Sequence, residues 1–168
     1  MFIKDEAVDE YGNPIRFMII SIGIDYGATE GETEFKATGI TQYFKEVWTI
    51  DELKMAGLHT PEDMYKQFIE FYKRVVAKYG KVTHCFADYG ALGQVITFGM
   101  NKYLQQKGIP LQVKDCKYLI EAYKLAVWDD KHEDTRLDDG TTPIDDLDAS
   151  EYSMFYWYDK LMMNIRER

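Results

Sequence analysis

Residues 16–27 read RFMIISIGIDYG. The apolar run inside it is too short for a helix, and its isoleucines favour extended chain. We read Arg16–Asp25 as a strand buried on both faces. It ends on an aspartate followed by Tyr26-Gly27, so a carboxylate stands where the chain turns away from the carboxyl end of the strand. Open α/β sheets place their sites outside such ends.

Downstream, Tyr26–Glu34 reads as a turn carrying glycine and glutamate, and Phe35–Phe44 and Glu46–Leu53 read as two more strands of an antiparallel meander. A helix opens at Thr60-Pro61, an N-cap followed by proline at the first helical position. Behind it Tyr65, Phe68, Ile69, Tyr72, Val75, Val76 and Tyr79 recur at helical spacing until Gly80. Val82–Asp88 is a short strand. Residues from Leu92 to Leu104 form a second amphipathic helix, and Leu111–Asp115 a fifth strand. A third helix is expected from about Tyr118 to Val127 and a last one from Pro143 to Ile165. Three meandering strands followed by βα units predict a mixed five-stranded sheet with helices on both faces, with a right-handed βαβ crossover. That succession is the ribonuclease H-like fold, in the α/β class.

The 168 residues suit one domain, expected over 16–168, with residues 1–15 as a flexible lead-in. No apolar run approaches the length of a membrane span, and the acidic start carries no apolar signal region. Two cysteines, Cys85 and Cys116, are too few for a disulfide framework or a zinc site, so a reduced, intracellular protein is expected. The net charge of −9 is concentrated. The window from Trp128 to Glu151 holds ten acids and two bases, which leaves the rest of the chain near neutral. Such a block is a solvated loop or a set of carboxylates gathered for a divalent ion.

Asp88, in FADYG, ends the fourth strand as Asp25 ends the first. With the two strands parallel and adjacent, both carboxylates come within reach of one ion. Read singly, each is either the start of a turn or a site carboxylate. In the closing segment, PIDDLDASEY, Asp145 and Asp148 are three apart and share a helix face. Asp145 also occupies a capping position, so it is either a ligand or a cap. Converging carboxylates repel one another and raise their own pKa values. Divalent cations relieve that, and oxygen-only donors favour Mg²⁺ or Mn²⁺ over zinc. Two such ions can activate a water and stabilise the leaving oxygen of a phosphodiester.

IGIDYG, FADYG and DDLDASEY, in this order, together with CKYLIEAYKLAVWDDK ahead of the last, resemble the carboxy-terminal nuclease domain of the large terminase subunit of tailed bacteriophages and prophages. The resemblance covers most of the chain. It implies a metal-dependent DNA endonuclease that cuts concatemeric viral double-stranded DNA during genome packaging in the host cytoplasm. Asp25, Asp88 and Asp148 would be its catalytic, metal-binding aspartates. Asp145 stands where some members carry a histidine. The region near Asp115-Cys116 is shorter than in relatives.

The implied partners are DNA, held weakly by this domain alone, the terminase ATPase domain, the small terminase subunit and the portal. No phosphate-cradling Gly-x-x-x-x-Gly-Lys-Ser/Thr run occurs, so the ATP-driven motor is absent here and a separate nuclease domain is expected.

Two other readings stand beside this one. IDYGAT resembles the phosphate-binding turn of actin-like ATPases, which close on nucleotide between two such domains. A docking module of the packaging machine would use the aromatics Tyr152, Phe155, Tyr156, Trp157 and Tyr158, which otherwise pack on the sheet. The bases Lys66, Lys73, Arg74, Lys78 and Lys81, on or just after the first helix, read as a solvated surface. His84 reads as a structural strand residue.

Overall fold

A computed structural model describes residues 7–27, 32–57, 59–87, 93–115, 149, 152–154 and 157. Its strands are β1 (Ile19–Asp25), β2 (Thr33–Ile40), β3 (Val47–Met55), β4 (His84–Ala87) and β5 (Val113–Asp115). Its helices are α1 (Pro61–Tyr79) and α2 (Gly93–Gln106). The sheet order is β3-β2-β1-β4-β5. β1, β2 and β3 pair antiparallel in sequence, whereas β4 joins β1, and β5 joins β4, in parallel. The chain therefore has the mixed five-stranded α/β sheet of the ribonuclease H-like fold.

Alternation along the strands divides the sheet into two faces. Ile20, Ile22 and Ile24 of β1 join Phe35 and Ala37 of β2 and Cys85 and Ala87 of β4 in one apolar core. Met64, Phe68, Ile69, Phe71 and Val75 of α1 and Met100 and Leu104 of α2 cover this face. The α1 stripe is rotated from the expected one, because Met64 and Phe71 are buried where Tyr72 and Val76 are only partly so. Its ends follow the sequence signals. Thr60 Oγ1 accepts from the Asp63 backbone N–H at 3.2 Å, and Gly80, at φ 102°, donates its N–H to the Val76 carbonyl. Among the described residues no helix is long and apolar enough to cross a membrane.

The other face meets the closing segment. Ala149 and 152–154 are helical, and the chain reaches Trp157, which packs with Ile19 and Ile40 at the amino end of β1. Trp157 also packs at a tilt against Phe44 and meets the His84 ring edge-on. Its burial fits packing on the sheet. Phe155, Tyr156, Tyr158 and the expected helix at 118–127 lie outside the described residues.

Several strand boundaries differ from the sequence reading, among them β3, which runs Val47–Met55 rather than Glu46–Leu53, and β4, which begins at His84 rather than Val82. β1 begins at Ile19 rather than Arg16, and β5 at Val113 rather than Leu111. β2 runs Thr33–Ile40 rather than Phe35–Phe44, so Thr33 and Glu34 belong to the sheet and not to the turn before it. Beyond Ile40 the chain turns through Tyr43 and Phe44, both at positive φ, and cannot remain extended there. Residues 7–15, within the expected lead-in, close a bonded turn. Asp9 Oδ1 accepts from the Tyr11 and Asn13 backbones, and Val8 bridges Pro14.

Candidate functional site

Asp25 is the last residue of β1 and is 9 % exposed. It sits on the face that the closing segment crosses, since Gly23, two residues earlier on the same face, abuts that segment. A Cβ built on Gly23 would collide with the Ala149 carbonyl oxygen and lie 2.7 Å from the Ser153 backbone nitrogen. Ser153 Oγ also hydrogen-bonds Thr38 Oγ1 across the face. Glycine at 23 thus lets backbone approach backbone. Gly23→Ala is expected to cost about 1–3 kcal/mol, the usual penalty for overpacking. The urea midpoint of the variant measures it.

The parallel partner of Ile24 is Ala87, the residue before Asp88. Asp88, Asp145 and Asp148 themselves lie outside the described residues. What is described is where their chain neighbours stand: Ala87 beside Ile24 and Ala149 on Gly23, both at the end of β1 that carries Asp25.

Two further charged residues share this face, and the sequence reading missed them as site residues. Glu34 is the cross-strand partner of Asp25 and is 1 % exposed. Lys36, opposite Gly23, is 4 % exposed. Its Nζ lies 3.1 Å from Glu34 Oε1 and 3.6 Å from Glu52 Oε2. Period-2 alternation in TEFKATGI puts Glu34, Lys36 and Thr38 on one face and Phe35 and Ala37 on the other. That pattern carried the signal, once the polar face is recognised as covered.

Buried oxygen donors beside a sheet end fit a hard divalent cation, and the described part supplies Asp25 with Glu34 facing it. Among the described residues no group of three or more His, Cys, Asp or Glu could hold a metal ion.

The two sides of the site differ in polarity. Toward the amino end of β1 the face is apolar, with Trp157, Ile19 and Ile40. His84 stacks on Phe86 there, and its Nδ1 lies 3.0 Å from Thr83 Oγ1. Burial, helped by the Lys114 charge, holds the His84 ring below its ordinary pKa of 6.5. The folded state therefore favours the neutral ring, and the unfolded chain takes up the proton first as pH falls. The His84 contribution is complete above pH 6.5 and is lost as pH falls through the depressed folded value. His84→Gln should reduce the difference in urea midpoint between pH 7.5 and 5.5, measured against the parent chain.

The basic side chains of α1 are engaged elsewhere. Lys66 pairs with Glu62 and Lys73 with Glu70, each at 3.1 Å, and Arg74 holds Asp51 with two hydrogen bonds. These pairs make that face a solvated, charge-balanced surface. Cys85 is buried in the core and has the surroundings of a structural thiol.

No protein-family model matches the sequence, and no curated protein does. Among solved structures the chain is similar to the large terminase nuclease domain of bacteriophage SPP1, determined with bound Mn, at 17% identity and a TM-score of 0.44. That likeness covers 69% of this chain and 57% of the other. It is also similar to a PPX-GPPA enzyme of Aquifex aeolicus, at 16% identity and a TM-score of 0.39, covering 64% and 42%. A second Aquifex aeolicus structure of the Ppx/GppA family gives 15% identity and 0.40, covering 64% and 40%. The chain spans little more than half of the terminase nuclease domain, and likenesses this distant assign neither family nor substrate.

Proposed function

We propose that this chain is a divalent-metal-dependent endodeoxyribonuclease that hydrolyses phosphodiester bonds of double-stranded DNA, with Asp25, Asp88 and Asp148 as its catalytic ligands. One observation supports this above the rest. Three segments far apart in sequence meet at one end of β1: Asp25 closes that strand, Ala87 pairs with its penultimate residue, and Ala149 packs on Gly23. Each of the last two is one peptide bond from a proposed ligand. Three loops or helix ends delivering aspartates to one sheet edge form an oxygen-donor site for Mg²⁺ or Mn²⁺.

The described residues have definable tasks in this reading. β1, paired on both sides, fixes the backbone of Asp25, and burial restricts its side chain. Gly23 admits the closing segment to within backbone contact, which sets how near the 148 position comes to Asp25. The apolar packing of Trp157 anchors that segment at its far end. Asp145 is proposed either as a further ligand or as the helix cap. When bound, one or two Mg²⁺ or Mn²⁺ ions supply a water that is nucleophilic at neutral pH and charge neutralisation at the phosphate.

In the wider reading the chain serves as the nuclease part of a terminase that cuts concatemeric phage DNA in the host cytoplasm. An ATPase domain, a small subunit and a portal would be its partners. The paired bases of α1 support weak DNA affinity for this part alone.

Supercoiled plasmid incubated with the purified chain in Mn²⁺, beside an EDTA lane and an ATP-hydrolysis assay, tests the reading. Nicked and linear DNA formed in Mn²⁺ alone is expected. Intact plasmid with a folded protein overturns the nuclease, and phosphate released from ATP instead moves the chain to nucleotide hydrolysis.

A further inference from the structure

Lys36 is an unusual residue for its place. A lysine 4 % exposed in the middle of a sheet face loses nearly all its hydration, which is tolerated only where acids surround it. Here Glu34 lies 3.1 Å away and Glu52 3.6 Å away. Glu34 is itself 1 % exposed and stands directly opposite Asp25, which places Lys36 on the diagonal from Asp25. Diagonal neighbours on one face of an antiparallel pair are roughly 7–8 Å apart. The β1 position opposite Lys36 is Gly23, the place where Ala149 packs, so Lys36 stands in register with the point where the closing segment meets β1.

From this placement we propose that Lys36 is an internal counter-cation for the carboxylates at the β1–β2 end. It holds Asp25 and Glu34 side by side in the metal-free protein and weakens the divalent ion that later binds there. The inference rests on the metal site proposed above. A charge of +1 at about 8 Å from a charge of +2 opposes binding by a factor of about five even at the dielectric of water, and by more in a buried setting. The pair with Glu34 is a positioning device, and it touches neither substrate nor reacting atoms.

Mn²⁺ binding, read by calorimetry at low ionic strength without DNA, tests this. The comparison takes the parent chain, Lys36→Met, Glu34→Gln and Asp25→Asn. Lys36→Met should bind Mn²⁺ at least about fivefold more tightly, and Glu34→Gln should bind it several-fold more weakly, because one removes a positive and the other a negative charge. A purely structural ion pair would destabilise both variants without moving the two affinities in opposite directions.

Should Lys36→Met fail to fold in EDTA, recovery of its near-ultraviolet dichroism on adding Mn²⁺ supports the proposal, and no recovery overturns it. Parent and Lys36→Met affinities that agree within a factor of two overturn it as well. If the parent binds no Mn²⁺, or Asp25→Asn binds as the parent does, the metal site itself is wrong. If Asp25→Asn alone loses binding, the site stands and only the role of Lys36 fails.

Discussion

Asp25→Asn should lower the rate of plasmid cleavage in Mn²⁺ at least about 100-fold while leaving the metal-free protein as stable as the parent or more so. The rate loss corresponds to about 3 kcal/mol, the scale of transition-state stabilisation that a bound metal supplies. The stability half of the expectation comes from the sheet. Asp25 faces Glu34 directly across β1 and β2, and two acids opposite one another on a strand pair are destabilising. Asparagine keeps the size and removes one of the charges. A residue kept only for packing or turn formation behaves in the other way, losing stability and sparing whatever rate exists. Initial cleavage rates and melting temperatures in EDTA, taken on one preparation, separate the two.

Phe35→Ala should cost about 3–5 kcal/mol, the usual range for a fully buried phenylalanine. Phe35 is fully buried, and its ring meets Phe68 edge-on at 5.3 Å and Phe71 at 6.0 Å. It joins β2 to α1 through both rings. Truncation leaves a cavity that the rigid sheet cannot close, and domains hold only about 5–15 kcal/mol in total. A chain of this size should melt roughly 6–20 °C lower. The effect should extend to function, because Phe35 lies between Glu34 and Lys36, and loosening β2 there disturbs both. Phe35→Leu, closer in volume, should recover most of the loss. Equal melting temperatures for Phe35→Ala and the parent would contradict the core described here.

The strand order was legible because the sequence marks it at strong points. The isoleucine-rich run at 19–24 admits only a buried strand, and Thr60-Pro61 and Gly80 bracket α1 by capping chemistry. Crossover handedness makes β4 and β5 parallel, and the placing of β4 beside β1 comes from the ribonuclease H-like succession of three meander strands and βα units. The polar face was not legible. Thr33 and Glu34 fall in the segment read as a turn, and a lone lysine inside the Phe35–Phe44 strand carries no mark of burial. Their burial comes from the closing segment, more than a hundred residues away, which no local pattern announces.

Gly23 held a weaker clue, since an isolated glycine inside a strand marks close backbone approach. The α1 stripe was rotated for a similar reason. Tyr72 and Val76 fit the helical period, but Met64 and Phe71 are the residues buried against the sheet. Of the four aspartates singled out from sequence, the structure describes Asp25 and places it at the sheet end as expected.

The dependence of plasmid nicking on Mn²⁺ concentration, measured for the parent chain and Asp25→Asn together, decides whether Asp25 holds a catalytic ion. The metal-carboxylate account predicts no nicking in EDTA, a saturable rise with Mn²⁺ for the parent and none for the variant. Nicking that persists in EDTA, or that Asp25→Asn retains at the parental rate, would contradict it.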